Sequence, residues 1–115
     1  MQDLKQSTFQ FAFAVGKFIL DLPYNIVNKG YSAQLIRSSA SVGGNYRAAK
    51  RAKSDANFIN NLKIVEEEVD ESIYFPELLC EFNQSFKERI TNLVIEGTQI
   101  LKIIVSSINT TRTRL

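Results

Sequence analysis

Apolar and small residues recur in this chain at alternating intervals of four and three, in three separate stretches. Leu4, Thr8, Phe11, Val15, Phe18 and Leu22 keep that spacing. So do Phe58, Leu62, Val65, Val69, Ser72, Pro76 and Leu79, and again Phe86, Ile90, Leu93, Gly97, Ile100 and Ile104. On a 3.6-residue helix this spacing makes a single stripe; on a strand it would scatter the same side chains over both faces. No stretch sustains a period of two, so no sheet is indicated. The chain is expected to be all-α.

Local signals set the expected boundaries. The first helix should run from about Ser7 to Leu22, with Ser7 and Gln10 as a capping box. Pro23 should end it. Tyr24 to Gly30 reads as a connection, and a second helix as Ser32 to Ala52. That helix is rich in small side chains, with Gly43 and Gly44 adjacent, which points to close packing or a local kink. Ser54 and Asp55 should open the third helix. Within it Pro76 should bend the helix without stopping it, because Leu78, Leu79 and Phe82 continue the apolar pattern. Ser85 with Glu88 reads as the capping box of the fourth helix, and the tail from Asn109 should fray. Short connections between four helices favour an antiparallel up-down-up-down four-helix bundle, one domain over residues 1–115.

Composition narrows the chemistry. The chain has 115 residues, no histidine and one cysteine. Without histidine it lacks the usual general acid–base, the Ser-His and Cys-His nucleophile systems and the commonest transition-metal ligand. A carboxylate di-iron site needs Glu-x-x-His motifs, and Gly43-Gly44 has no phosphate-loop context. Ser38, Ser39 and Ser41 near Lys50 read as packing or back-bonding residues before they read as a nucleophile dyad. Cys80 reads as a small apolar filler in a reducing compartment. The expectation is a non-enzyme without cofactor or metal, with neither a secretory leader nor a membrane span, located in the cytoplasm.

Charge is sorted along the chain, although the formal net charge is only +2. From Arg37 to Lys53 every charged residue is a base: Arg37, Arg47, Lys50, Arg51 and Lys53. From Val65 to Phe82 every one is an acid: Glu66, Glu67, Glu68, Asp70, Glu71, Glu77 and Glu81. If the second and third helices form a hairpin, Arg47, Lys50, Arg51 and Lys53 gather at its tip, and Arg37 falls near Asp70 and Glu71. Two readings follow. The tip can bind phosphate, with Tyr46 the one evident aromatic beside it, or Arg37 can pair with acids of the third helix within or between chains. A solvated face is the plain alternative for both runs. Arg37 and Asn45 lie two turns apart with Ser41 between them, and a structural role is expected for both.

The segment QLIRSSASVGGNYRAAKRAKSDANFINNLKIVEEEVDESIYF resembles the bacterial four-helix-bundle family of ribosomal RNA intervening-sequence proteins. The likeness rests on Gln34, Arg37, Ser41-Val42, Asn45, the basic run to Ser54, Phe58 and the acidic run Val65 to Ser72. It departs at Phe75-Pro76, where relatives carry a bulky apolar residue such as leucine after the aromatic. The resemblance implies a homopentameric ring, and the family has no established catalytic residues to carry over. Some members are encoded inside insertions in large-subunit ribosomal RNA genes. A related branch serves as an accessory to the reverse transcriptase of diversity-generating retroelements.

Two functions stay open at this point. One is a homo-oligomer that binds RNA or DNA weakly through Arg47, Lys50, Arg51 and Lys53. The other is a protein-interaction scaffold or an accessory to a mobile-element reverse transcriptase. Self-association is expected from the apolar girth of the first helix and from Ile103, Ile104, Val105 and Ile108 in the fourth.

Overall fold

The four-three stripes become the buried faces of four long helices in a computed structural model, which describes residues 3–115. The helices are α1 (Leu4–Asp21), α2 (Ile26–Lys50), α3 (Asp55–Phe82) and α4 (Lys87–Arg112), with a single 3-10 turn, Gln84–Phe86, leading into the last. Among the described residues there is no strand. Each helix packs on its two neighbours, α1 on α2 and α4, and α3 on α2 and α4, without close backbone approach across either diagonal. Side-chain pairs fix the directions. Asn28 meets Asn83 and Ser38 meets Ser72 across α2 and α3, while Asp21 meets Arg89 across α1 and α4. The bundle is therefore antiparallel, up-down-up-down, and 47 Å long.

The stripes supply the core almost residue for residue. Leu4, Thr8, Phe11, Val15 and Phe18 are buried in α1, and Leu62, Val65, Val69, Ser72, Pro76 and Leu79 in α3. Ile90, Leu93, Gly97, Ile100 and Ile104 are buried in α4, and burial continues through Ile108 to Thr111. At the start of α3 the buried residue is Ile59, and Phe58 packs at the core's edge. In α2 the buried positions are sparser and smaller: Asn28, Ser32, Leu35, Ser38, Ser39, Val42 and Ala49. Small side chains let neighbours approach. A Cβ on Gly43 would lie 3.2 Å from Thr8 Oγ1, whereas one on Gly44 would meet open space. The glycine pair thus has one packing member, against α1, and one exposed member.

Several boundaries differ from the sequence expectation. α1 begins three residues earlier, at Leu4, because Asp3 caps it: its carboxylate accepts from the Lys5 N–H at 3.0 Å. α2 begins at Ile26, capped by the Asn25 side chain, which accepts from the Asn28 N–H at 2.8 Å. α3 starts on Ser54 as expected, the hydroxyl accepting from the Asn57 N–H at 3.1 Å, and runs through Pro76 without stopping. No Ser85–Glu88 capping box forms; the 3-10 turn leads into α4, whose cap residue Phe86 makes no side-chain cap bond. α4 continues to Arg112, where the tail was expected to fray, because Ile108 and Thr111 still have core to bury.

Two of the serines of α2 bond back to the helix, and Ser41, expected to join them, makes no such bond. Ser38 Oγ donates to Leu35 O at 3.2 Å and Ser39 Oγ to Ile36 O at 3.4 Å. Ser72 Oγ lies 2.8 Å from Glu68 O and 3.1 Å from Ser38 Oγ, so the hydroxyls where α2 crosses the middle of α3 are satisfied, while Ser32 Oγ, buried nearer the start of α2, has no partner among the described residues. That leaves these serines structural, as back-bonding predicts.

Candidate nucleic-acid interface

An up-down-up-down bundle brings four helix ends to the same place: the starts of α1 and α3 and the ends of α2 and α4. Bases dominate that end. Arg47 and Lys50 occupy the last turn of α2 and Arg51 is its cap; Arg112 ends α4 and Arg114 follows it. A helix C-terminus carries partial negative charge, so bases in the last turns of α2 and α4 are stabilised locally as well.

The expected four-base cluster divides between two hollows. Arg47, Lys50 and Arg51 line a groove of about 940 Å³ together with Asp3, Leu4, Lys5, Tyr46, Ile103 and Ser107. Lys53 lies round the α2–α3 turn, in a smaller hollow of about 280 Å³ with Ala49, Ser54, Asp55, Phe58 and Arg114. Lys50 borders both. Arg114 Nε contacts Asp55 Oδ2 at 3.3 Å, so that second hollow is partly neutralised. The larger groove holds Lys5, Arg47, Lys50 and Arg51 against Asp3 as its acid, and Asp3 already caps α1.

Lys5 and Tyr46 complete the groove. Tyr46 is half-buried; burial, and then the nearby charge of Asp3, hold its phenol above the ordinary range. It therefore presents a neutral ring at physiological pH. Lys5 was missed because it sits alone in the sequence, far from the basic run. The signal that finds it is topological: the start of the first helix must lie beside the end of the second.

Arg37 keeps carboxylate partners, but they differ from those expected. Its Nη1 donates to Glu68 Oε2 at 3.0 Å and its Nη2 to Glu71 Oε2. Asp70 takes no part; it is exposed. Glu68 and Glu71 are three apart and share the face of α3 turned to α2, while Asp70 is about 100° away from Glu71. The Arg37 side chain is 48% exposed, so its pairs with α3 are solvent-screened. Arg37→Ala is accordingly expected to cost only about 1 kcal/mol or less, the range of solvent-screened pairs. The Glu68 side chain, 14% exposed, places it toward the upper end. A thermal melt checks this; a loss of several kcal/mol would mean that Arg37 is covered in the working assembly. Asn45 is structural too: its Nδ2 donates to Ser41 O at 2.9 Å.

Exposed apolar residues occur on α3 and α4 as well, at Ile64, Tyr74, Phe82 and Ile95, but one set lines the outside of α1. Phe9, Phe13 and Leu20 are 58%, 57% and 84% exposed and recur on the outer face of α1, with Ile36 of α2 half exposed as well. The run in α4 does not add to them, because Ile104 and Ile108 are buried and Ile103 packs at the core's edge. Glu96, whose carboxyl burial pushes up, lines a separate hollow between α1 and α4 with Lys17 and Arg89. Among the described residues no three His, Cys, Asp or Glu side chains converge as metal ligands, and no helix is long and apolar enough to cross a membrane.

Relatives agree with this architecture. A crystal structure of a protein of unknown function from the S23 ribosomal protein family of Bacteroides thetaiotaomicron VPI-5482 superposes with a TM-score of 0.80 at 29% sequence identity. The match covers 92% of this chain and 98% of that one. No curated protein matches the chain. The sequence model of the 23S rRNA-intervening sequence proteins matches residues 2–106. The chain therefore belongs to the 23S rRNA-intervening sequence protein family.

Proposed function

We propose that this protein is a non-enzymatic homo-oligomer that binds RNA or DNA through the basic end of its bundle. The observation that carries the reading is the gathering of Lys5, Arg47, Lys50 and Arg51 on one groove, from the start of α1 and the end of α2, against a single acid. Backbone phosphates are the polyanion such a cluster fits, and their neutralisation releases counterions. Self-association is supported by Phe9, Phe13 and Leu20, which together leave apolar area in water along α1. A ring of five rests on the family resemblance.

Binding of this kind weakens steeply as salt is raised. The double substitution Lys50→Glu, Arg51→Glu is expected to abolish measurable RNA binding at low salt while lowering the melting temperature by only several degrees, since both side chains are exposed and lose only their interaction with the α2 C-terminus. Fluorescence anisotropy with labelled RNA tests it. Unchanged affinity in the double variant, or no binding by the wild type at low salt, defeats the reading. Light scattering at micromolar concentration tests the oligomer, and a monomer mass defeats that part.

A protein-interaction scaffold is the second reading, favoured by the same exposed α1 face. An assembly whose α1 face is covered, but which binds no nucleic acid, would support it.

A further inference from the structure

We infer that the groove between the start of α1, the last turns of α2 and the last third of α4 holds one unstacked nucleotide of a single-stranded nucleic acid, the base against Tyr46 and the adjoining phosphates on Lys5, Arg47, Lys50 and Arg51. This deepens the proposed function and rests on it.

The lining separates into two chemistries. Leu4, Tyr46 and Ile103 make an apolar and aromatic part, and the four bases make a cationic part. A surface that only neutralises the backbone of a duplex needs no apolar component, because a duplex keeps its bases stacked inside. An aromatic ring beside phosphate-binding bases is instead what single strands use, since every base offers a flat face whatever its identity. The volume, about 940 Å³, lies within the range of roughly 300–1,000 Å³ common to sites for small molecules, so a nucleotide can enter it. The bases come from both walls, Lys5 from α1 and Arg47, Lys50 and Arg51 from α2 and its cap. A strand entering the groove thus meets cations from α1 as well as from α2, the helix that carries the ring. Such an arrangement discriminates by strandedness and tolerates any sequence.

The test compares a labelled single-stranded RNA of about 12 nucleotides with its duplex at low salt, by anisotropy. The proteins are the wild type, Tyr46→Leu, Tyr46→Phe and Lys5→Glu, each first checked for helicity and melting temperature. Tyr46→Leu keeps apolar bulk and removes the ring. It is expected to weaken single-strand binding roughly tenfold, the scale of one lost base–aromatic stack, and to leave duplex binding unchanged. Tyr46→Phe should retain wild-type affinity, and Lys5→Glu should weaken single-strand binding. Unlabelled adenosine monophosphate serves as competitor. Displacement of the strand at equal concentrations would assign the groove to a free nucleotide and overturn the inference. Equal losses on both RNAs, or no loss in Tyr46→Leu, would also overturn it while leaving the basic-end reading intact. Failure of the wild type to bind either RNA would defeat both.

Discussion

Phe11→Ala is expected to lower the stability of the bundle by about 3–5 kcal/mol, the range for deleting a fully buried aromatic ring. That corresponds to a fall in melting temperature of roughly 10–20 °C for a chain of this size. Phe11 is 0% exposed and lies at the α1–α4 contact. Its ring atoms Cζ and Cε1 come within 3.4 and 3.5 Å of where a Cβ on Gly97 would sit. A Cβ there would press on Ile73 Cγ1 at 3.1 Å and touch the ring at ordinary contact distance, so the ring packs on the α4 backbone beside Ile73. Removing the ring leaves a cavity against the backbone of α4, which a helix wedged between two neighbours cannot close by moving inward. The consequence reaches the groove, because α1 carries Leu4 and Lys5 and the C-terminal part of α4 carries Ile103 and Ser107. Circular dichroism melts measure the loss, and a shift of only a few degrees would show that the core relaxes around the gap.

The second large effect is expected at the opposite end, from Asn28 and Asn83. Both are buried, and each amide donates to the other: Asn28 Nδ2 to Asn83 Oδ1 at 3.0 Å, and Asn83 Nδ2 to Asn28 Oδ1 at 2.8 Å. Their remaining contacts tie down chain ends. Asn28 Nδ2 also reaches Pro23 O at 2.8 Å, in the α1–α2 connection, and Asn83 Nδ2 reaches Leu79 O at 2.8 Å, near the end of α3. Asn28→Leu strands the Asn83 amide in an apolar setting and is expected to cost about 1–3 kcal/mol for each polar group left unpaired. The double variant Asn28→Leu, Asn83→Leu is expected to cost clearly less than the two single changes summed, because it removes both halves of the pair together. A double-mutant cycle by denaturant melts reads the coupling. Simple additivity would mean that the two amides do not support each other.

This pair also explains why the start of α2 was not legible. Asn25, Asn28 and Gly30 are residues that favour turns and interrupt helices, so Tyr24 to Gly30 read as a connection. Asn28 is tolerated in a helix because its amide is satisfied across the bundle by a residue 55 positions away. Local propensity contains no trace of that partner. The missed caps have a related cause. Asp3 and Ser7 are both competent to cap α1, and Leu4 decides between them: it has core to bury, so the helix starts before it. Arg37 illustrates the same limit at finer scale. Its pairing with α3 was visible from charge and hairpin geometry, but choosing Glu68 and Glu71 over Asp70 needed the rotation of α3 about its axis.

The sequence by itself determined the all-α class, the four helices, the face that α1, α3 and α4 bury, and the gathering of bases at the α2–α3 turn. These follow from period, caps and charge order, which are properties of neighbouring residues. The tertiary structure alone decided what meets what across helices. It joined Lys5 and Tyr46 to Arg47, Lys50 and Arg51, sent Lys53 to another hollow beside Arg114, and left Phe9 and Phe13 in water while burying Ile104 and Ile108. The physical reason is that a helix's pattern sets which side faces inward, whereas the rotation and offset of each neighbour set the contacts. Those come from packing side chains of particular sizes, such as Phe11 against Gly97 and Thr8 against Gly43.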